Sequence, residues 1–214
     1  MPSALLATAS APAAEAVPAA ALADLFAVLA AAFAPPPAAL SVRDWCEPLA
    51  ADLAELGGTL ALDTAAAQRS LREFALGPLA GEPWMVEYSR LFLVPPVPVT
   101  LNTALYLEGA LGGASAQMMA QCYAAAGFSQ RETFRDLPDH AAMQLEFLSA
   151  LLERGAAGDD DALAMAQEFA AGFVAHWAPL LRRACVDAAA TDPASAVYSE
   201  LARLLEAAID RLAG

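Results

Sequence analysis

The chain divides into stretches of apolar residues at helical spacing, and each stretch ends at prolines or glycines. In the first one, Leu22, Leu25, Phe26, Leu29 and Phe33 recur three or four residues apart and stop at three consecutive prolines. Residues with this spacing lie on one face of an α-helix. No segment has the alternation of apolar and polar residues that is typical of a half-buried strand. The sequence therefore predicts an all-α protein.

The same spacing and its end signals predict further helices. Gly57 and Gly58 are expected to end the second helix, because glycine favours helix C-termini. Asp136 is expected to cap a later helix, with Pro138 in its first turn and Asp139 complementing the helix dipole. The predicted bounds are 41–57, 64–76, 82–93, 114–126, 136–155, 159–179 and 193–212.

The domain organisation predicted from composition is simple. Residues 1–14 are rich in Ala and Pro and are expected to form a disordered tail. Residues 15–214 are expected to form one helical bundle with a proline-rich loop at 94–100. The first arginine is Arg43, so the N-terminus lacks the basic region of an export signal. The uncharged stretch 25–42 is interrupted by the triple proline, so no membrane span is expected.

Composition excludes several chemistries. All 11 basic residues are arginine, so a Walker A loop, a Schiff base and a protein kinase site cannot be built. Two histidines cannot form a three-histidine zinc site. The net charge of -14 disfavours nucleic acid and anionic membranes as partners and favours basic ones. The three separated cysteines predict reduced core thiols in a cytosolic protein.

A few local motifs leave two interpretations open. Asp139–His140 is either an acid/base pair or a cap followed by a surface histidine, and the cap is favoured. The stripe of Tyr88, Leu91 and Phe92 has the spacing of a core face, although it can also form a binding patch. His176 is expected to be a core histidine with its polar groups satisfied. The segment 109–113 is expected to be a helix break and not a phosphate loop, since no strand precedes it and no lysine follows.

Several segments occur in an order that resembles the TorD/DmsD family of redox enzyme maturation chaperones, which also includes NarJ-type factors. The resemblance covers the chain from about Ala21 to Leu212. The segments that carry it are Leu22-Ala-Asp-Leu-Phe26, Glu87-Tyr-Ser-Arg-Leu-Phe92, Tyr106-Leu-Glu-Gly109, Leu137-Pro-Asp-His140, His176 to Pro179 and Val197-Tyr-Ser-Glu-Leu-Ala202.

The resemblance implies a cytoplasmic chaperone with no cofactor and no enzymatic activity. Its implied partner is the apo catalytic subunit of a molybdopterin oxidoreductase, bound through a twin-arginine signal peptide. Such a chaperone assists insertion of the cofactor and holds back export. It is expected as a monomer or homodimer, with no nucleic acid partner and no stable membrane insertion.

The resemblance also implies a client-binding site, with no catalytic residue and no metal ligand. A basic leader peptide with an apolar run needs carboxylates beside an apolar groove. Glu87, Glu108 and Asp139 supply charge, and the aromatic side chains supply apolar surface and cation–π contacts. The expected binding residues are Glu87, Tyr88, Leu91, Phe92, Leu101, Tyr106, Glu108, Asp139 and His140.

Three other hypotheses stay open at this point. The first is a NarJ-type assembly factor for a molybdoenzyme subunit that is not exported. The second is an accessory protein that binds nucleotide or molybdopterin, although the chain has no phosphate-binding loop. The third is a hydrolase that uses His140 and a carboxylate, which would need a nucleophile or metal at a suitable spacing.

Overall fold

The computed structural model describes residues 18–129 and 136–213, so the predicted tail at 1–14 lies outside the described residues. Within those ranges the secondary structure is helical, and β pairing is limited to two isolated bridges, Ser41 with Pro83 and Asn102 with His140. One continuous hydrophobic core joins the helices. The prediction of an all-α, single-domain protein is confirmed.

The helices follow the predicted order, with one addition between residues 104 and 108. A π-helical segment, Ala170–Val174, joins α8 to α9 without a break. The bounds are α1 Ala19–Phe33, α2 Val42–Leu60, α3 Ala65–Ala75, α4 Trp84–Phe92, α5 Ala104–Glu108, α6 Ala114–Ala125, α7 Ala141–Ala156, α8 Asp160–Phe169, α9 Ala175–Ala188 and α10 Pro193–Ala213.

Helix α1 lies at the centre of the bundle, packed mainly against α7 and also against α2 and α10. Its last carbonyl groups have no partner within the helix and need donors from elsewhere. The hydroxyl of Tyr88 donates to the Phe33 carbonyl at 3.1 Å, and the hydroxyl of Tyr198 donates to the Ala32 carbonyl at 3.2 Å. Two tyrosines, from α4 and α10, therefore satisfy carbonyl groups at the C-terminal end of α1.

Helix α2 does not end at the predicted glycine pair. It continues through Gly57 and Gly58 to Leu60, and Ala61 takes the left-handed conformation with φ of 52°. Gly57 is buried beside Thr64, where a Cβ would lie 2.6 Å from the Thr64 Oγ1. The glycine at this position serves close packing between α2 and the start of α3, and not helix termination.

Helix α7 begins later than predicted. Its first residue is Ala141, and His140 is its N-cap, so Asp136 does not cap it and Asp139 lies outside its first turn. The backbone at residues 139–141 pairs with residues 101–103, which delays the start of the helix. By contrast, Asp159 caps α8 as predicted, accepting from the Ala162 N–H at 3.0 Å.

Helix α9 bears on two further predictions. A kink or a restart is expected at Pro179, and α9 continues through this proline without a restart. His176 is exposed and is not a core histidine, whereas its neighbour Trp177 is buried. The buried face of α9 therefore contains Trp177 in place of His176, a shift of one residue from the prediction.

The cysteines are all free, with Cys46 and Cys185 buried and Cys122 half-buried. Burial raises the pKa of the Cys46 and Cys185 thiols to about 12, so both are protonated and unreactive at neutral pH. Among residues 18–129 and 136–213, no helix combines the length and the apolar character needed to cross a membrane.

Candidate functional site

The first group of predicted site residues lies on the inner face of α4. Trp84, Tyr88 and Leu91 are spaced four and three residues apart, so they share one face, and all three are fully buried. The rings of Tyr88 and Phe92 lie 4.9 Å apart, and Phe92 contacts Tyr198 edge-on at 4.7 Å. Burial raises the pKa of the Tyr88 hydroxyl. This stripe is part of the core in the described conformation.

Glu87 is also buried, with 1% of its surface exposed. Its two carboxylate oxygens each lie 3.0 Å from Nη1 of Arg90, one turn further along α4. Burial raises the pKa of Glu87, and the Arg90 guanidinium opposes that rise. The Arg90 side chain is 55% exposed, so this ion pair links a buried carboxylate to a guanidinium at the surface.

The second group is formed where residues 101–104, which we call the strap, run beside the start of α7. The Ala141 N–H donates to the Leu101 carbonyl at 2.8 Å, and the Thr103 N–H donates to the Asp139 carbonyl at 3.1 Å. Leu101 and Asp139 are both buried. The structure therefore brings together two predicted residues that lie far apart in the sequence.

Asp139 holds the strap through its side chain as well as its backbone. Its Oδ2 accepts from the Ala104 N–H at 2.9 Å, at the beginning of α5. The side chain is fully buried, and its Oδ1 has no hydrogen-bond partner among the described residues. The carboxylate thus satisfies one orphan donor of a helix N-terminus, which is a role usually filled by a local cap.

Gln144 is a member of this group that sequence reasoning missed. Its Nε2 donates to the Thr103 Oγ1 at 2.7 Å and to the Asp139 carbonyl at 2.9 Å. Its Oε1 accepts from the indole N–H of Trp177 at 2.8 Å, so the amide connects the strap, α7 and α9. The signal in the sequence was the position of this glutamine, next to Leu145 on the apolar face of α7. A side-chain amide that is buried there needs hydrogen-bond partners.

His140 is neither a surface residue nor an obvious acid/base group. Its Nδ1 accepts from the Ala142 N–H at 3.2 Å, which assigns the ring proton to Nε2, and Nε2 lies 3.9 Å from an oxygen of Asp136. Burial lowers the pKa of His140, and the carboxylates of Asp136 and Asp139 partly oppose that shift. The imidazole is therefore neutral at pH 7 and acts as a helix cap. The expectation of a surface histidine is wrong.

Tyr106 and Glu108 lie on or next to α5, closer to solvent. The half-buried Tyr106 donates its hydroxyl to the Thr100 carbonyl at 2.9 Å. The exposed Glu108 accepts from the N–H groups of Ala114 at 2.8 Å and Ser115 at 2.6 Å, and also from the Ser115 hydroxyl. These hydrogen bonds lower the pKa of Glu108. The Glu108 side chain consequently caps the N-terminus of α6, whose N-cap residue is Gly113.

The segment 109–113 is a helix break, as predicted, between α5 and α6. Gly109 and Gly112 have φ of 72° and 66°, in the left-handed region that favours glycine. This conformation turns the chain back, and the Glu108 carboxylate can then accept hydrogen bonds from the first N–H groups of α6. The loop serves helix capping.

Most of the predicted site residues are buried in the described conformation. Five of the nine predicted residues, namely Glu87, Tyr88, Leu91, Asp139 and His140, have 3% or less of their surface exposed. Asp139 and His140 join the strap to the start of α7, and Tyr88 joins α4 to the end of α1. Phe92 and Leu101 are also buried, which leaves Tyr106 and Glu108 as the predicted residues that reach solvent.

Comparisons with known proteins identify one matching family and one similar fold. The model of the nitrate reductase delta subunit family matches residues 58–183, a range that contains all nine predicted site residues. The fold is similar to the solved structure of a proposed redox enzyme maturation protein from Archaeoglobus fulgidus, with 18% identity and a TM-score of 0.52. That likeness covers 96% of this chain and 98% of the other. No curated protein sequence matches the chain.

Proposed function

Because the chain belongs to the nitrate reductase delta subunit family, we propose that it is a chaperone for the maturation of a molybdopterin oxidoreductase. The family match over residues 58–183 carries the proposal, since it runs from the end of α2 into α9 and includes the strap, α4 and the Asp139–His140 pair. The chaperone acts in the cytoplasm on the apo catalytic subunit, before the molybdenum cofactor is inserted.

The finer proposal is that the chaperone recognises a twin-arginine leader on its client and holds back export, as a TorD/DmsD-type protein does. Charge supports this proposal. The chain carries 25 acidic and 11 basic residues, so a basic leader is attracted to it over long range. Each exposed charge pair contributes only about 0.2–1 kcal/mol, so most of the affinity comes from the apolar part of the leader.

The nine predicted residues form the client-binding region in this proposal, with two different roles. Tyr106 and Glu108 reach solvent and are available to touch the client. Asp139 and His140 are buried and act by positioning the strap and α7. The buried aromatic residues of α4 contact α1 and α10 and thereby fix the position of α4.

Isothermal titration calorimetry with a synthetic leader peptide tests the proposal. The peptide carries two consecutive arginines followed by an apolar run, taken from the molybdopterin oxidoreductase of the same genome. We expect the double substitution Asp139→Ala and His140→Ala to weaken binding by about tenfold, or about 1.4 kcal/mol. Circular dichroism checks that helix content is retained.

Two controls define what would contradict the proposal. A peptide with both arginines replaced by glutamine is expected to bind more weakly, and added salt is expected to lower the affinity of the native peptide only. Absence of binding to the wild-type chaperone excludes leader recognition. Binding that is unchanged in the double variant removes Asp139 and His140 from the client-binding region.

The family match also favours a second candidate. The matching family is named for a delta subunit of nitrate reductase, so a NarJ-type assembly factor for a subunit that is not exported fits equally well. In this candidate, the chaperone binds the N-terminal segment of the mature catalytic subunit. Calorimetry with that segment and, separately, with the leader peptide distinguishes the two candidates, because each predicts tighter binding of its own peptide.

A further inference from the structure

Helix α6, Ala114–Ala125, is the one α-helix among the described residues that carries no charged side chain. The uncharged stretch around it runs from residue 109 to residue 129. The uncharged stretch at residues 25–42 falls largely in α1, where the central position in the bundle disfavours charge. Helix α6 instead packs mainly against the short α5 and exposes much of its surface, so burial does not account for its lack of charge.

Only one side of α6 is covered by the rest of the protein. That side is formed by the buried residues Ala116, Met119 and Tyr123. At about 3.6 residues per turn, the opposite side of the helix carries a second set of residues, and its members are exposed. We call this set the α6 seam: Ala114, Met118, Gln121 and Ala125.

The α6 seam has the character of a contact surface. Met118 is 44% exposed, and Leu111, three residues before α6, is 60% exposed. The outer face of a helix at a protein surface ordinarily carries charged and polar residues. An exposed face with apolar side chains and no charge indicates an interaction site.

The spacing of the seam suits packing against another helix. Its residues recur after four, three and four positions, which is the spacing of the line along which two helices pack in a coiled coil. The side chains along it are small, large, large and small. When a second α6 lies antiparallel, Ala114 faces Ala125 of the second copy, and Met118 faces Gln121 of the second copy. The seam is therefore complementary to itself, as a two-fold contact between identical chains requires.

The charges at the two ends of α6 favour the antiparallel orientation. At the N-terminal end, the exposed Glu108 carboxylate caps the first N–H groups of the helix. At the C-terminal end, Nη1 of Arg154 donates to the Ala126 carbonyl at 3.2 Å, and the guanidinium also pairs with Asp159. An antiparallel pair brings each Glu108 to the end that holds Arg154, whereas a parallel pair would bring the two Glu108 carboxylates together.

Net charge identifies a second copy of the chain as the occupant. Each copy carries a net charge of -14, so two copies repel each other over most of their surfaces. An uncharged surface is where they can approach each other with the least repulsion. A basic guest gains no ion pair from the seam, because none of its four residues is a carboxylate.

We propose that the α6 seam is the contact surface of a homodimer, in which two α6 helices pack antiparallel about a two-fold axis. The axis passes between Met118 and Gln121 of each copy. Because α6 is only about 18 Å long, the contact is small and the dissociation constant is on the order of 10–100 µM. Client binding is not needed for this contact, so the dimer and the proposed function can be tested separately.

Sedimentation equilibrium of the wild-type chain tests whether the dimer forms. Between about 5 and 500 µM, the weight-average mass is expected to rise from the monomer value of 22.1 kDa towards twice that value. Added salt is expected to strengthen the dimer, because it screens the repulsion between two acidic chains. Leader binding has the opposite expected dependence on salt.

Two substitutions at matched positions test where the contact lies. Met118 on α6 is 44% exposed and Met165 on α8 is 36% exposed, so Met118→Glu and Met165→Glu add the same charge at comparable surface positions. Met118→Glu is expected to weaken the dimer by about tenfold or more, because it places a carboxylate in an uncharged contact. Met165→Glu is expected to stay within about twofold of wild type.

A double variant tests the orientation of the two helices. In an antiparallel pair, position 118 faces position 121 of the second copy, so Met118→Glu combined with Gln121→Arg sets opposite charges against each other. This double variant is expected to recover most of the affinity that Met118→Glu loses. In a parallel pair, like charges would face each other and the association would stay weak. Circular dichroism checks that helix content is retained.

Each outcome has a definite meaning for the dimer. A chain that stays monomeric up to about 500 µM excludes it. Equal dissociation constants for Met118→Glu and Met165→Glu would place the contact away from α6 and overturn the inference. Failure of the double variant to recover association would exclude the antiparallel pairing. In all three cases, calorimetry with the leader peptide reports separately on the proposed function.

Discussion

The carboxylate of Asp139 accepts a hydrogen bond from the backbone N–H of Ala104 at 2.9 Å, across a sequence separation of 35 residues. Asp139 therefore supports the start of α5 and not the helix that follows it in the chain. Its second oxygen has no partner in the part of the chain that the structure describes. The Asp139 side chain consequently has a structural role that links two segments.

The first prediction concerns the strength of this link. Asp139→Ala leaves the Ala104 N–H without its acceptor and is expected to lower the free energy of unfolding by about 1–3 kcal/mol. Asp139→Asn is expected to cost less, because the amide oxygen can still accept that hydrogen bond. Urea denaturation followed by circular dichroism measures both. Equal stability of the alanine variant and wild type would show that the bond contributes nothing.

The second prediction concerns pH. Burial lowers the pKa of His140 below its ordinary value of 6.5, so the unfolded chain binds a proton more readily than the folded one. The contribution of His140 to stability is therefore complete above about pH 6.5 and decreases as the pH falls towards its folded pKa. NMR titration of the His176→Gln variant, in which His140 is the sole histidine, is expected to show a midpoint below 6.5.

A matched variant isolates this effect in stability measurements. His140→Gln keeps a side-chain acceptor for the Ala142 N–H but removes the titrating group. Its loss of stability between pH 7 and pH 5.5 is expected to be smaller than that of wild type. An identical pH dependence in both proteins would assign the loss to other groups.

The third prediction concerns the Glu108 cap of α6. Glu108→Ala removes the acceptor of the Ala114 and Ser115 N–H groups, so both amides are expected to exchange hydrogen faster with solvent. Because hydrogen bonding lowers the pKa of Glu108, its contribution is present above the ordinary value of 4.5 and is lost as the pH falls through the folded pKa. Glu168→Ala, at another exposed acid, is the control and is expected to leave exchange in α6 unchanged.

The fourth prediction uses two adjacent glycines in α2. A Cβ at Gly57 would lie 2.6 Å from the Thr64 Oγ1, so Gly57→Ala is expected to destabilise the protein by about 1–3 kcal/mol. A Cβ at Gly58 would meet no atom within 4 Å, so Gly58→Ala is expected to stabilise it by up to about 1 kcal/mol. Thermal unfolding of the two variants would contradict this if their melting temperatures moved in the same direction.

The fifth prediction concerns the residue that ends α2. Ala61 has φ of 52°, a left-handed conformation that costs an alanine about 1–2 kcal/mol relative to ordinary helix geometry. Ala61→Gly relieves that cost and is expected to raise the free energy of unfolding by up to about 1 kcal/mol. A decrease on urea denaturation would show that the alanine methyl group makes compensating contacts.

Features that depend on near neighbours in the chain could be predicted from the sequence. The apolar spacing of α1 defines a buried face, and Asp159 caps α8 within three residues of its partner Ala162. The core stripe of α4 follows in the same way from the spacing of Tyr88 and Leu91. Local geometry determines each of these.

Features that depend on distant partners could not be predicted. Asp136 and Pro138 have the character of a helix start, but pairing of Asp139 with Thr103 and Ala104 moves the start of α7 to Ala141. Gly57 resembles a helix end until Thr64 is placed against it. For the candidate site, residue type did not indicate that Glu87 and Asp139 are buried.

The position of α1 has a consequence for synthesis of the chain. Its main packing partner is α7, and the carbonyl at Ala32 is satisfied by Tyr198, 166 residues further on. During synthesis, α1 therefore exposes part of its apolar face until α7 and α10 have been made. The core can close only after α10 emerges from the ribosome.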